Sequence, residues 1–220
     1  MNHADLVALI EDGITQRGGR WADLGSGEGA FTLALADLLG PGSNITAVDR
    51  DAAALRYLQR DRFPGVEIET IAADFTRPLA LSSLDGIVMA NSLHFVRDRA
   101  PVLESVRKML RPGGRLIVVE YGTDHGNPWV PHPFSYERWE KMAAQAGFVK
   151  TRLLRTIPSR HLGQIYSACS LSPSGGEGLK PPKRSATEIP PAGARAGRGA
   201  ATSARSSPAR RRSNDRHRPD

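Results

Sequence analysis

Between residues 20 and 150, short apolar runs rich in β-branched residues alternate with stretches whose apolar positions return every three or four residues. The first run, Trp21-Ala22-Asp23-Leu24, stops at Gly25-Ser26-Gly27-Glu28-Gly29. Ala30 to Leu39 then reads as a helix with Phe31, Leu35 and Leu38 on one face, ended by Pro41-Gly42. Asn44 to Val48 predicts a second strand ending at Asp49, Asp51 to Arg62 a second helix, and Val66 to Ala72 a third strand followed by Asp74. Leu84 to Ala90 is almost continuously apolar, the pattern of a strand covered on both faces. Val102, Leu103, Val106, Met109 and Leu110 form a helical stripe. Pro112-Gly113-Gly114 reads as a turn, Arg115 to Tyr121 as a fifth strand, and Ser135 to Ala146 as a helix closed by Gly147. Two further strands, Phe148–Ile157 and Leu162–Ala168, have no helix between them and are expected to pair antiparallel; a helix over His3 to Gln16 precedes the sheet.

Strand–helix alternation implies crossover connections, hence an α/β fold with a mostly parallel sheet and helices on both faces. The charge distribution sets the domain boundaries. Residues 1–170 hold 19 Lys and Arg against 19 Asp and Glu, whereas residues 171–220 hold 11 against 4 and carry the whole net charge of +7. The latter segment has no Phe, Trp or Tyr and contains 7 Pro, 6 Gly and 7 Ser, so it lacks the apolar surface that offsets chain entropy. A domain over 1–170 and a disordered basic tail over 171–220 are expected. The tail's Arg210-Arg211-Arg212 suits contact with nucleic acid or an anionic surface, a solvated run is the plainer reading, and a reading-frame change after Cys169 would also explain the shift.

Candidate chemistry concentrates after the first strand. Glycines at 25, 27 and 29 allow sharp turning and close approach of a ligand, and the following helix offers free N–H groups. Asp49, 24 residues beyond Gly25, ends the next strand, where an acid accepts from the ribose hydroxyls of a nucleoside cofactor. Gly25-x-Gly27-x-x-Ala30 also satisfies the looser dinucleotide pattern, so NAD and an oxidoreductase remain a competing reading. Two carboxylates oppose it. Asp23, directly before the loop, would do nothing for a pyrophosphate but would favour a cationic amino-acid group, and Asp74 in Ala72-Ala73-Asp74-Phe75 can accept from an adenine amino group.

With these residues the sequence resembles the class I S-adenosylmethionine-dependent methyltransferases over roughly residues 20–168. Asp23-x-Gly25-Ser26-Gly27-x-Gly29 is similar to that family's first motif, Asp49 with Arg50 to its ribose-binding strand end, and Ala73-Asp74-Phe75 to the adenine segment. Asn91-Ser92-Leu93-His94-Phe95 is similar to the segment beside the methionine part, and Leu110 to Leu116 to the turn into the fifth strand. The resemblance implies S-adenosyl-L-methionine as cofactor and a Rossmann-like three-layer sandwich. Its seven-stranded sheet would run in the order 3-2-1-4-5-7-6, with the last strand antiparallel.

In-line displacement at a sulfonium leaves the protein orientation and electrostatics, plus a base where the acceptor arrives protonated. His94, after the fourth strand, is the candidate base. The loop after the fifth strand places Tyr121, His125, Trp129, His132 and Phe134 at the ligand edge as candidate acceptor contacts, with capping of the core as the other reading. Glu120, Asp124, His125 and His132 show no recognised ligand spacing, so no metal is expected. The acceptor is expected to be a small molecule: residues 1–170 are formally neutral, and no Asn-Pro-Pro-Tyr-like segment follows the fourth strand. A single cysteine, no apolar run of about 18–20 residues and an N-terminus without a basic region predict a soluble cytoplasmic protein that does not enter membranes. A non-catalytic protein acting through its tail is a third reading.

Overall fold

The structure, a computed structural model, describes residues 1–159 and 162–174. Seven strands form one sheet: β1 Gly19–Leu24, β2 Ser43–Asp49, β3 Glu67–Ala72, β4 Leu84–Ala90, β5 Leu110–Tyr121, β6 Val149–Pro158 and β7 Gln164–Leu171. Their order is β3-β2-β1-β4-β5-β7-β6, and β7 runs antiparallel to both of its neighbours. The α/β sandwich and strand order implied by the resemblance are those observed.

Among the described residues, five α-helices cover the sheet: α1 His3–Ile10, α2 Ala30–Leu39, α3 Ala52–Leu55, α4 Ala100–Met109 and α5 Tyr136–Gln145. Strand residues alternate between two cores, as a period of two requires. Trp21, Ile45, Ala47, Val88, Ile117 and Val119 meet Leu6, Leu9, Phe31, Leu35 and Leu39 on one face. Ala22, Leu24, Val48, Ile87, Met89 and Val118 meet Val102, Val106, Met109 and Trp139 on the other. The central strands are buried on both faces, which explains the unbroken apolar run of β4.

Three sequence expectations are corrected. The helix expected over Asp51–Arg62 is one α-turn, Ala52–Leu55, then a 3₁₀ turn at Arg60–Arg62, because only Leu55 and Leu58 in that segment are buried and Tyr57 stands 71% exposed. The first helix stops at Ile10, and a 3₁₀ turn at Glu11–Gly13 carries the chain inward until Gly13 lies against the Ile117 side chain. Pro112-Gly113-Gly114 lies within β5, where the pairing with β4 shifts register between Leu84 and Gly86. The sheet also continues past the expected boundary at residue 170: Leu171 pairs with Arg115, and the Ser172 N–H donates to the Gly114 carbonyl at 2.8 Å. The remainder of the expected tail, with Arg210 to Arg212, lies outside the described residues.

Candidate cofactor site

The sheet order reverses at β1, so the connections leaving β1 and β4 diverge and open a crevice at the strand C-termini. A cavity of about 490 Å³ lies there, lined by Gly25, Gly27, Asp49, Arg50, Asp74, Phe75, Asn91 and Ser92. Residues from the ends of four strands, far apart in sequence, therefore share one site. Ser26, Gly29, Asp23 and Ala73 do not line it and act behind it: the Ser26 N–H donates to the Val48 carbonyl at 3.1 Å, and the Ala73 N–H to the Asp49 carbonyl at 2.9 Å.

The glycine loop is held against β2 from two sides. The N–H groups of Gly25 and Ser26 both donate to the Val48 carbonyl, and the Gly27 N–H donates to Asp49 Oδ2 at 2.8 Å. The other Asp49 oxygen accepts from the Asp51 N–H at 2.8 Å. Each carboxylate oxygen has spare lone-pair capacity, so Asp49 can still accept from hydroxyl groups in the cavity. Gly25 has φ +82°, and a Cβ there would stand 2.5 Å from the Ser92 side chain. Ser92 is fixed in turn, its hydroxyl donating to the Leu24 carbonyl at 2.9 Å.

The deepest charge in this region is Asp23. It is 1% exposed, accepts from the Thr32 hydroxyl at 2.7 Å, and leaves Oδ1 without a partner among the described residues. Burial, reinforced by the nearby Asp49 charge, raises its pKa to about 7. Asn91 is also unfinished: its backbone sits at φ 51°, a conformation asparagine tolerates better than most residues, and its buried Oδ1 has no partner among the described residues. Asp74 has the opposite environment. The Thr76 hydroxyl and N–H both donate to its Oδ1, which holds its carboxyl below the usual carboxylate range. The sequence missed Asp51, Ala54, Thr76 and Val96, which also line the cavity, as does Phe95 from the segment compared with the methionine-binding stretch. Asp51 did leave a signal: a side chain suited to capping before three alanines, and it accepts from the N–H groups of Ala53 and Ala54.

His94 lies next to this wall without lining it. It is 3% exposed, packed against Phe95 at 4.2 Å between ring centroids and edge-on to Tyr121 at 5.7 Å. Its Nδ1 is 2.7 Å from Oε2 of Glu120, which is fully buried. The other Glu120 oxygen accepts from the N–H groups of Leu93 and His94. His94 Nε2 makes no hydrogen bond among the described residues. Glu120 was legible in principle, since a lone acid closing the run Leu116 to Val119 in a buried strand demands a partner.

The candidate acceptor residues separate. Tyr121 touches His94, and the His132 N–H donates to the His94 carbonyl while Arg99 binds the His132 carbonyl. His125 and Trp129 are exposed, Trp129 at 84%, and neither lines the cavity. Phe134 corrects the expectation of a pocket wall: it is fully buried against Trp139 and Tyr166, with the Arg99 guanidinium 4.5 Å from its ring centroid. Its role is to close the core beneath α5.

The model of a methyltransferase domain family matches residues 22–118, from β1 through most of β5. Over that span, somewhat under half of the chain, the sequence is similar to methyltransferase domains. An uncharacterised transposon protein of Streptomyces fradiae is 33% identical over 163 residues, covering 72% of this chain and 45% of that protein. A ubiquinone/menaquinone biosynthesis C-methyltransferase of Pseudomonas savastanoi is 30% identical over 117 residues, covering 51% and 45%. The chain thus spans about half the length of the curated relatives it matches. Among solved structures, Burkholderia thailandensis 1,6-didemethyltoxoflavin-N1-methyltransferase, with its acceptor and S-adenosylhomocysteine bound, shares the fold at TM-score 0.63 and 17% identity, with 78% of each chain covered. Among the described residues, no helix is long and apolar enough to cross a membrane.

Proposed function

We propose that the chain transfers a methyl group from S-adenosylmethionine to a small-molecule acceptor, at a carbon made acidic by a neighbouring carbonyl. The observation that carries this reading is the buried His94–Glu120 pair beside the cofactor cavity. A carbon nucleophile must lose a proton before it attacks, so the site needs a base. Because the Glu120 carboxylate can only accept, it selects the Nδ1–H tautomer and leaves the imidazole lone pair on Nε2, which has no partner among the described residues. Glu120 also stabilises the imidazolium formed when Nε2 takes the proton. Phe95, 57% exposed at the cavity wall, packs on the His94 ring and links it to the cavity lining in sequence and in contact. The C-methyltransferase relative supports the choice of carbon.

The cavity fits the cofactor. In this reading Asp49 would accept from the ribose hydroxyls, Asp74 and Phe75 would flank the adenine, and Asp23, buried behind the glycine loop, would attract the ammonium group. When bound, S-adenosylmethionine supplies a methyl group made electrophilic by the sulfonium charge. The residues of this chain orient the acceptor in line with that methyl and hold the proton removed from it. The test is transfer of labelled methyl from S-adenosylmethionine to a panel of β-dicarbonyl, quinol, amine and phenol acceptors. Label on carbon that disappears in His94→Gln supports the proposal. Transfer confined to nitrogen or oxygen, unaffected by His94→Gln, refutes it.

A further inference from the structure

A second concavity, of about 850 Å³, lies between α4 and α5 and shares no lining residue with the cofactor cavity. Its lining contains five cations, among them Arg97, Arg107, Arg138 and Lys141, and two acids, Asp98 and Glu104. Glu104 pairs with Lys108 at 2.7 Å, outside the lining, and Asp98 accepts from the Ala100 N–H, so the lining keeps an excess of positive charge. Arg138 has a loose pairing, 3.7 Å from Asp124. Arg97, Arg107 and Lys141 form no ion pair among the described residues. Arg107 is only half exposed, and its Nε is buried without an acceptor. An unpaired buried guanidinium N–H is costly, and other cations gathered beside it raise that cost.

We infer that this groove binds a small diphosphate-bearing or similarly polyanionic ligand. Its volume is that of a small-molecule site. Guanidinium groups match phosphate oxygens in pairs, and Lys141 supplies a movable point charge on the opposite helix. Placement beside the loop that carries His94 comes through Arg99, whose Nε donates to the Leu93 carbonyl at 3.1 Å from the foot of α4. The inference does not depend on the methyl acceptor or on cofactor binding.

The test is calorimetric titration of the full chain with inorganic pyrophosphate, and separately with orthophosphate, at fixed ionic strength. The groove predicts saturable one-to-one binding of pyrophosphate, tighter than orthophosphate. Arg107→Gln and Lys141→Ala should each weaken it about tenfold or more, the size of one charge-assisted hydrogen bond. Lys141 is exposed, so its replacement leaves folding intact even if Arg107→Gln does not. Replacing Arg210, Arg211 and Arg212 together by Ala should change nothing. No saturable binding, or binding lost with the three C-terminal arginines but not with Lys141→Ala, overturns the inference.

Discussion

The side chain of Glu120, on β5, holds His94 after β4 from both ends: one oxygen is 2.7 Å from Nδ1 while the other accepts from the His94 N–H at 3.2 Å. The ring and its own backbone are thus fixed by one carboxylate, which sets both tautomer and orientation. Glu120→Gln keeps the shape but replaces a charge by an amide. It should lower kcat by about 10²–10⁴, the range for general base catalysis, while leaving S-adenosylhomocysteine affinity within about twofold of wild type. Parallel steady-state kinetics and calorimetry check this. Equal losses in both would mean that the pair only supports the fold.

Asp23 should make cofactor affinity depend on pH. Its pKa is about 7 in the folded chain against an ordinary 3.8. Below about 7 it is neutral, and an ammonium group near the glycine loop must drive its ionisation. Affinity for S-adenosylhomocysteine should therefore rise up to tenfold per pH unit toward 7 and level off above it. Titrations from about pH 5.5 to 8.5 should show this acid limb followed by a plateau. Asp23→Asn should flatten the acid limb, and an acid limb that persists in that variant would exclude Asp23 as its source.

The same group affects the stability of the ligand-free chain. Its folded pKa is raised, so between about pH 4 and 7 the folded state binds more protons than the unfolded state, and stability falls as pH rises through that window. The full effect is on the order of 4 kcal/mol. Denaturant midpoints of wild type should drop relative to Asp23→Asn across this range, and parallel curves would contradict the assignment.

Gly25→Ala places a Cβ 2.5 Å from Ser92 at φ +82°, so the loop must move. We expect at least tenfold weaker cofactor binding with the sheet preserved, read by calorimetry and circular dichroism. Unchanged binding would mean that the loop is not the ligand's seat.

Phe134 and Trp129 lie on one loop and should respond oppositely. Phe134→Ala removes a fully buried ring and should cost about 3–5 kcal/mol of stability. Trp129→Ala, at 84% exposure, should cost less than about 0.5 kcal/mol. Chemical denaturation of the two variants separates core from surface.

The parts of this molecule that burial dictates were legible in the sequence. The helix over Ala30–Leu39 and the strand over Leu84–Ala90 lie where periodicity and continuous apolarity put them, and Gly25, Asp49 and Asp74 meet in one cavity as their positions at strand ends imply. The failures have a common origin in tertiary packing. Asp51–Arg62 has helical composition, but its polar second half finds no surface to bury and closes as a 3₁₀ turn. Phe134 reads as a pocket aromatic until Trp139 and Tyr166 are seen to enclose it. Nothing local ties His94 to Glu120, 26 residues away; only the β4–β5 pairing does.

The central claim is that the crevice lined by Gly25, Gly27 and Asp49 binds S-adenosylmethionine. Calorimetric titration of wild type and Asp49→Ala with S-adenosylhomocysteine, and with NADH, tests it most directly. The account predicts one-to-one binding of S-adenosylhomocysteine, no binding of NADH, and a loss of about ten- to a hundredfold in Asp49→Ala. Equal affinity in wild type and Asp49→Ala, or binding of NADH in place of S-adenosylhomocysteine, would contradict it.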